Sequence, residues 1–296
     1  MKHLSILPIV CFLLIAFTAC EDVVEVKLSE EEVSLFAVEA KITTEDEPFV
    51  FFYRGIKVDS DEPYPGISGA TVTISDDNQP PKSIQLVEDS VFNGLYVVPE
   101  NESFLGEPGR EYKVTIESEG EILTASDQLS TVEPIDSIQV RASLRGDKRF
   151  LGVFTYGKEP AGIGNYYKWD IYINDTLLYD AENLAVASDE FVDGNYVNGL
   201  EIFTDFHDPD DISERKLKFR DSVYVKQTSI SSFAYSYYYQ MFQQSTTGGL
   251  FSVPPANIVS NFTSSDGKNV LGVFTAHDVS TSNIVAIDED IEGQLK

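Results

Sequence analysis

The sequence predicts a mainly β protein: an N-terminal antiparallel sandwich followed by a second β-rich domain that carries one α-helix. Three observations predict it. Short stretches of alternating apolar and polar residues recur at close intervals, each bounded by turn residues. The chain is rich in strand-favouring aromatics, with 15 Tyr and 19 Phe. A helical spacing of apolar residues replaces the alternation in one stretch, at about residues 231–244.

The first domain is expected over residues 34–133. Phe36, Val38, Ala40 and Ile42 share one face of a strand and Glu39 and Lys41 the other. Phe49 to Tyr53 is a continuous apolar run and reads as a strand buried on both faces. Asp59 to Gly66 holds prolines and carboxylates and is a loop. Ala70 to Ile74 alternates again and Ile84 to Val87 is a short strand. Asn93-Gly94 is a turn, and Leu95 to Val98 follows it. Tyr112–Ile116 and Ile122–Ala125 flank Ser118-Glu119-Gly120 as a hairpin. About seven short strands at this spacing are the pattern of an immunoglobulin-like or transthyretin-like sandwich.

The second domain is expected over residues 134–296, entered through a linker at Val132–Asp136. Tyr167, Trp169, Ile171 and Ile173 share one face of a long strand that ends at Asn174-Asp175. Asn198-Gly199 marks a turn, and Val223 to Lys226 is a strand. The helix follows, capped by Ser229 or Ser231 and stopped by Gly248-Gly249. Leu151-Gly152-Val153-Phe154-Thr155 recurs as Leu271-Gly272-Val273-Phe274-Thr275 and reads as two similar strands of one sheet.

The N-terminus reads as a targeting segment. Lys2 and His3 precede an apolar stretch from Leu4 to Phe17, too short for a membrane span. Phe17-Thr18-Ala19-Cys20 resembles a bacterial lipobox, with Phe17 where Leu is usual. Residues 1–19 are then a lipoprotein signal peptide, Cys20 the lipidated residue, and residues 20–33 an acidic tether. Several acyl chains give stable anchoring where one would be marginal. Glu21, Asp22 and Glu25 resemble a surface-export signal; a solvated tether is the competing reading.

The formal net charge is −28, and residues 1–19 contribute one lysine and no acid to it. Such a chain repels nucleic acid and anionic head groups, so neither is an expected partner. The two cysteines, Cys11 and Cys20, leave with the signal or carry lipid, so no disulfide is expected and the fold rests on its core.

Catalytic motifs are scarce. The mature histidines are His207 and His277, and zinc lacks its usual ligand sets. Gly66-Ile67-Ser68-Gly69-Ala70 falls short of a nucleophile elbow in its last residue and its strand context. Asp205, Asp208 and Asp210, with His207 and Asp211, have the oxygen-rich spacing that holds calcium, with a solvated loop as the competing reading. Asp59, Asp61 and Glu62 read the same way. Otherwise no cofactor is expected. Tyr235, Tyr238, Phe251 and Trp169 are candidate contacts for a partner, against the reading in which the tyrosines pack the helix onto a sheet.

The chain resembles a family of Bacteroidota lipoproteins, domain of unknown function 4249. The resemblance rests on Gly69 to Ile74, Gly94-Leu95-Tyr96, Gly109 with Tyr112-Lys113-Val114, Asn165-Tyr166-Tyr167, the tyrosine-rich helix, Pro254 to Asn261 and Leu271 to Phe274. It implies an outer-membrane lipoprotein, often encoded beside a TonB-dependent receptor, and no established catalytic residues. The expected function is an accessory or ligand-capture partner of such a receptor, at the cell surface and without enzyme activity. An adhesive or structural sandwich, and a hydrolase using carboxylates, are the alternatives.

Overall fold

In the computed structural model, residues 35–56, 63–206, 215–246 and 258–295 are described. The signal, Cys20 and the tether therefore lie outside the described residues, as do Asp59, Asp61, Glu62, His207, Asp208, Asp210, Asp211 and Phe251.

The first half forms β1 (Phe36–Thr43), β2 (Phe49–Arg54), β3 (Thr71–Asp76), β4 (Ser83–Glu88), β5 (Leu95–Val97), β6 (Glu111–Ser118) and β7 (Glu121–Gln128). With β15 (Thr263–Ser264) and β16 (Leu271–His277) they make one nine-stranded sheet in the order β15-β7-β6-β3-β4-β5-β2-β1-β16. β4 turns the corner. Its residues 83–86 pair with β3 and its residues 87–88 with β5, so two limbs of one curled sheet enclose the core. Val38, Ile42, Val50, Phe52, Val72, Ile74, Tyr112, Val114 and Ile116 fill that core from both limbs.

The alternation predicted for β1 is observed. β2 differs from its expectation: Val50 and Phe52 are fully buried, while Phe49, Phe51 and Tyr53 lie on an outer face that is half-covered. Those three rings are sheltered by one another and by polar neighbours. Phe51 stacks on Tyr53 at 4.8 Å and the Lys41 ammonium sits 5.6 Å over Phe49. A continuous apolar run thus marks a strand with an aromatic outer face.

The curled sheet closes through side chains. Asn261 Nδ2 donates to the carbonyls of Ser126 (3.2 Å) in β7 and Phe274 (2.8 Å) in β16, and its Oδ1 accepts from Phe274 N at 3.0 Å. Asp127 accepts from Ala276 N at 2.9 Å. β16 runs parallel to β1, with Val38 opposite Gly272. A Cβ on Gly272 would sit 1.8 Å from the Val38 carbonyl oxygen, so this pairing needs glycine.

The division expected at 134–296 is therefore not the one observed. Residues 262–276 contribute Phe262, Val270, Phe274 and Ala276 to the first core. The repeated Leu-Gly-Val-Phe-Thr strands also lie in different sheets: residues 151–155 belong to a separate three-stranded sheet, and residues 271–275 to β16 of the first.

The second half has two smaller sheets. One has the order β13-β9-β8, from β8 (Ile135–Arg145), β9 (Lys148–Lys158) and β13 (Tyr196–Thr204). The other has the order β11-β10-β14-β17, from β10 (Tyr166–Ile173), β11 (Thr176–Leu177), β14 (Ser222–Ser229) and β17 (Val279–Thr281). Here β12 (Ala185–Ser188) joins β10, and β18 (Val285–Ala286) joins β14. Val140, Val153, Tyr167, Trp169, Ile171, Val223 and Val225 form the core between them. Asn198-Gly199 is not a turn: Gly199 takes φ 85° inside β13, where the register with β9 slips by one residue. A left-handed glycine makes a bulge there, because β13 continues to pair on both sides of it. Asn174 and Asp175, both at positive φ, form the expected tight turn.

The helix α1 spans Ser232–Thr246, close to its expected range, and Ser231 Oγ caps it by accepting from Ala234 N at 3.1 Å. A short α2 (Glu289–Gly293) follows, capped by Asp288. No helix among the described residues is long and apolar enough to cross a membrane.

Chain direction orders the molecule. β1 runs from Leu35 to the turn where Thr44 Oγ1 donates to Asp278 at 2.9 Å, and Lys226 there binds Asp46 at 3.1 Å. β10 starts at this junction, where Tyr167 pairs with Ser229 of β14 and Ser229 N donates to the Asp278 carbonyl at 3.1 Å, and it runs away from the junction from there. β8 does too: Ile135 N donates to Ser280 Oγ at 2.9 Å near this junction and Ala142 N to Gln294 Oε1 at 3.0 Å near the chain end. The chain's entry at Leu35, the junction and the β8–β9 turn therefore follow one another along the molecule.

Candidate functional site

The second half forms a concave surface at the end to which β8 runs. There a groove of about 580 Å³ is lined by residues that include Arg145, Glu182, Glu201, Asp205, Phe206 and Lys216, with Phe242 from α1. Arg145 comes from the β8–β9 turn and Glu201 from the bulged part of β13. The two form an ion pair. Burial pushes the Glu201 carboxyl up, but the Ser143 and Thr204 hydroxyls and Arg145 outweigh it and hold Glu201 below the usual range. It is thus a fixed anion, unsuited to taking up a proton at neutral pH. Lys216 Nζ reaches Glu182 (3.0 Å) and Asn183 (2.9 Å). Phe206, 63% exposed, packs against Phe150 at 5.6 Å. The groove offers both charges and the exposed ring of Phe206, an arrangement suited to binding.

The residues singled out from sequence separate. Asp205 lines the groove, but its carboxylate accepts from Leu217 N at 2.9 Å inside the fold. Asp208 and Asp210 fall outside the described residues, and among the described residues no cluster of acids, histidines or cysteines is placed to hold a metal. Trp169 is core, its Nε1 donating to Gln227 Oε1 at 2.8 Å. Tyr235 stands in a ladder of rings, 5.1 Å from Tyr166 and 6.0 Å from the half-exposed Tyr239. Tyr238 turns inward to the junction.

That junction gathers several strongly perturbed groups. His277 is buried, its Nε2 has no hydrogen-bond partner among the described residues, and its ring lies 6.4 Å from Tyr238. Burial pushes it down to about 3, helped by Lys168 and Lys41. Burial likewise lowers Lys41 and raises Tyr238. Asp170 contacts Lys168, and the two lysines hold it below the usual range against the effect of burial. The groups of this junction answer one another across the two halves, which makes it a structural joint.

Arg145, Glu201, Phe206, Lys216 and Phe242 escaped the sequence reading, since they are far apart in the chain and match no motif. One signal was present: 21 basic residues face 49 acidic ones, so two cations in one groove are conspicuous.

Among curated proteins none matches this chain. The family model described as "Domain of unknown function (DUF4249)" matches residues 21–283, which takes in both halves, the junction and the groove. The chain belongs to that family.

Proposed function

We propose that this protein is an outer-membrane lipoprotein, held through Cys20, that works as an accessory or ligand-capture partner of a TonB-dependent receptor at the cell surface. One observation carries the reading. The groove lies at the end to which β8 runs, while the chain enters at Leu35 on the other side of the junction. An anchor before Leu35 then holds the groove away from the bilayer, where a solute or a receptor's outer loops can reach it. Confinement to one membrane raises the effective concentration of the pair. The groove's mixed charge and the exposed Phe206 ring suit a polar solute with an apolar face.

The test has two arms. Cys20→Ala should move the protein from the membrane to the soluble fraction, and unchanged retention defeats the anchor. A pull-down of the tagged lipoprotein from native membranes should recover a barrel receptor. The double variant Arg145→Ala, Phe206→Ala should lower recovery or solute uptake several-fold while the protein stays folded. With no receptor recovered and uptake unimpaired in a deletion strain, the adhesive reading takes its place.

A further inference from the structure

The end of the first half where the chain enters carries an apolar tip that the fold does not use. Gly55 N donates to the Leu35 carbonyl at 3.0 Å, which puts Leu35 beside the end of β2. The turn between β4 and β5 projects at the same end, since Phe52 N reaches the Gly94 carbonyl at 2.7 Å. On this turn Val91 is 75% exposed and Phe92 63%, and Tyr64 on the neighbouring loop is 57% exposed. The turn is firmly held. Asp89 Oδ1 accepts from Val91 N (2.8 Å) and Phe92 N (2.9 Å), and Glu88 accepts from Gly69 N and Gly94 N, both at 3.1 Å. Gly66 backs onto Asn93 so closely that a Cβ would meet its carbonyl oxygen at 1.9 Å. Two large apolar side chains on a rigid turn, facing solvent, contribute nothing to the core.

What covers them follows from where the chain enters. Residues 21–34 separate Cys20 from Leu35, a reach of at most about 50 Å. That tether joins the fold at Leu35, at the same end as Val91 and Phe92, so this end is the one it leads toward the lipid. Several acids there are also engaged: Glu119 with Arg54 at 2.6 Å, Glu121 with Lys268 at 3.1 Å, and Asp266 with Lys268 at 2.7 Å. This lessens repulsion from head groups at that end. We infer that Val91 and Phe92, with Tyr64 beside them, form a second membrane contact that dips into the head-group boundary of the bilayer. Two side chains bind a bilayer weakly from solution, but a tethered domain meets it at high local concentration. This contact would fix the tilt of the groove, and it rests on the anchoring proposed above.

The test uses a chain starting at residue 21 with an N-terminal hexahistidine tag in place of Cys20. The sequence has no cysteine besides Cys11 and Cys20, so single labelling sites can be added. Ser90→Cys, next to the tip, and Leu144→Cys, on the far β8–β9 turn, each receive a nitrobenzoxadiazole probe. The proteins are held on phosphatidylcholine vesicles containing a nickel-chelating lipid. The probe at 90 should brighten several-fold and be quenched by spin-labelled lipid, and the probe at 144 should not respond. Adding Val91→Ser and Phe92→Ser to the first protein should abolish its response. Equal responses at 90 and 144, or a response that survives the serines, overturn the inference. So does loss of receptor recovery in the serine variant when the vesicle signal is absent, which assigns the tip to a protein partner. Because the tag replaces acylation, failure of the Cys20 anchor leaves this test intact, and a silent tip leaves the anchor standing.

Discussion

The two halves are held together differently. In the first, nine strands pair by main-chain hydrogen bonds in one curled sheet, closed by Asn261 and Asp127. In the second, the free edge of β8 is finished by side chains from the last residues: Ser280 on Ile135, Asn283 on Ile138 and Gln294 on Ala142. A ladder of main-chain bonds demands close approach and tolerates no extra atom. An edge finished by side chains is looser, each contact being replaceable by water. The comparison predicts that equal lesions cost more in the first half than in the second.

The repeated Leu-Gly-Val-Phe-Thr strand tests this directly. Gly272→Ala puts a methyl 1.8 Å from the Val38 carbonyl at φ 93°, and should cost upward of about 4 kcal/mol. Gly152→Ala meets Glu201 Oε1 at 2.8 Å, the Phe154 ring at 3.0 Å and the Phe203 carbonyl oxygen at 3.2 Å, two side chains and a backbone atom that needs to give only a few tenths of an ångström, and should cost about 1–2 kcal/mol. Urea unfolding of both variants gives the ranking, and equal losses would break the comparison.

The joint comes next. His277 is held neutral, its folded pKa depressed to about 3 by burial and by Lys168 and Lys41, which outweigh Asp170, with Tyr238 across the ring. A histidine with a depressed folded pKa binds fewer protons folded than unfolded. Stability therefore falls as pH drops below the unfolded value of about 6.5, by an amount on the order of a few kcal/mol by pH 4. His277→Gln should flatten that slope in thermal melts taken from pH 7 to 4. An unchanged slope would place the acid sensitivity elsewhere.

Asp127, at the closing seam, works in the opposite sense. Burial raises its folded pKa to about 6 despite the bond from Ala276 N. The folded state then holds its proton more tightly than the unfolded chain. This group costs stability above pH 6, and the cost disappears as pH falls toward 4. Asp127→Asn keeps an acceptor for Ala276 and removes the buried charge, so at pH 7.5 it should gain about 2 kcal/mol and near pH 4 nothing. A loss at both pH values would show that the seam needs the anion. The smallest effect is at the side-chain edge: Asn283→Ala leaves Ile138 N to water and should cost about 1 kcal/mol.

Much of the first half was legible because a strand with one buried face alternates, and turns such as Asn93-Gly94 and Glu119-Gly120 have a local chemistry. The helix was legible for the same reason, since a change of period is visible within a dozen residues. What failed was non-local. Nothing near Leu271 in the chain says that its partner is Ala37. Asn198-Gly199 has the composition of a turn, and pairing with β9 on both sides made it a bulge. The groove was illegible because Arg145, Glu201 and Phe242 meet through three separate elements.

By itself the sequence determined where strands, turns and the helix lie, the acidic surface, and a lipobox-like start that assigns Cys20 its proposed role, because each depends on neighbours in the chain. The tertiary structure decided which strands pair and that β16 returns to the first sheet. It also decided that Tyr238 and His277 form a joint and that the groove and the Val91–Phe92 tip lie on opposite sides of it. Those outcomes depend on burial and on contacts between distant residues, which exist only once the chain has closed on itself.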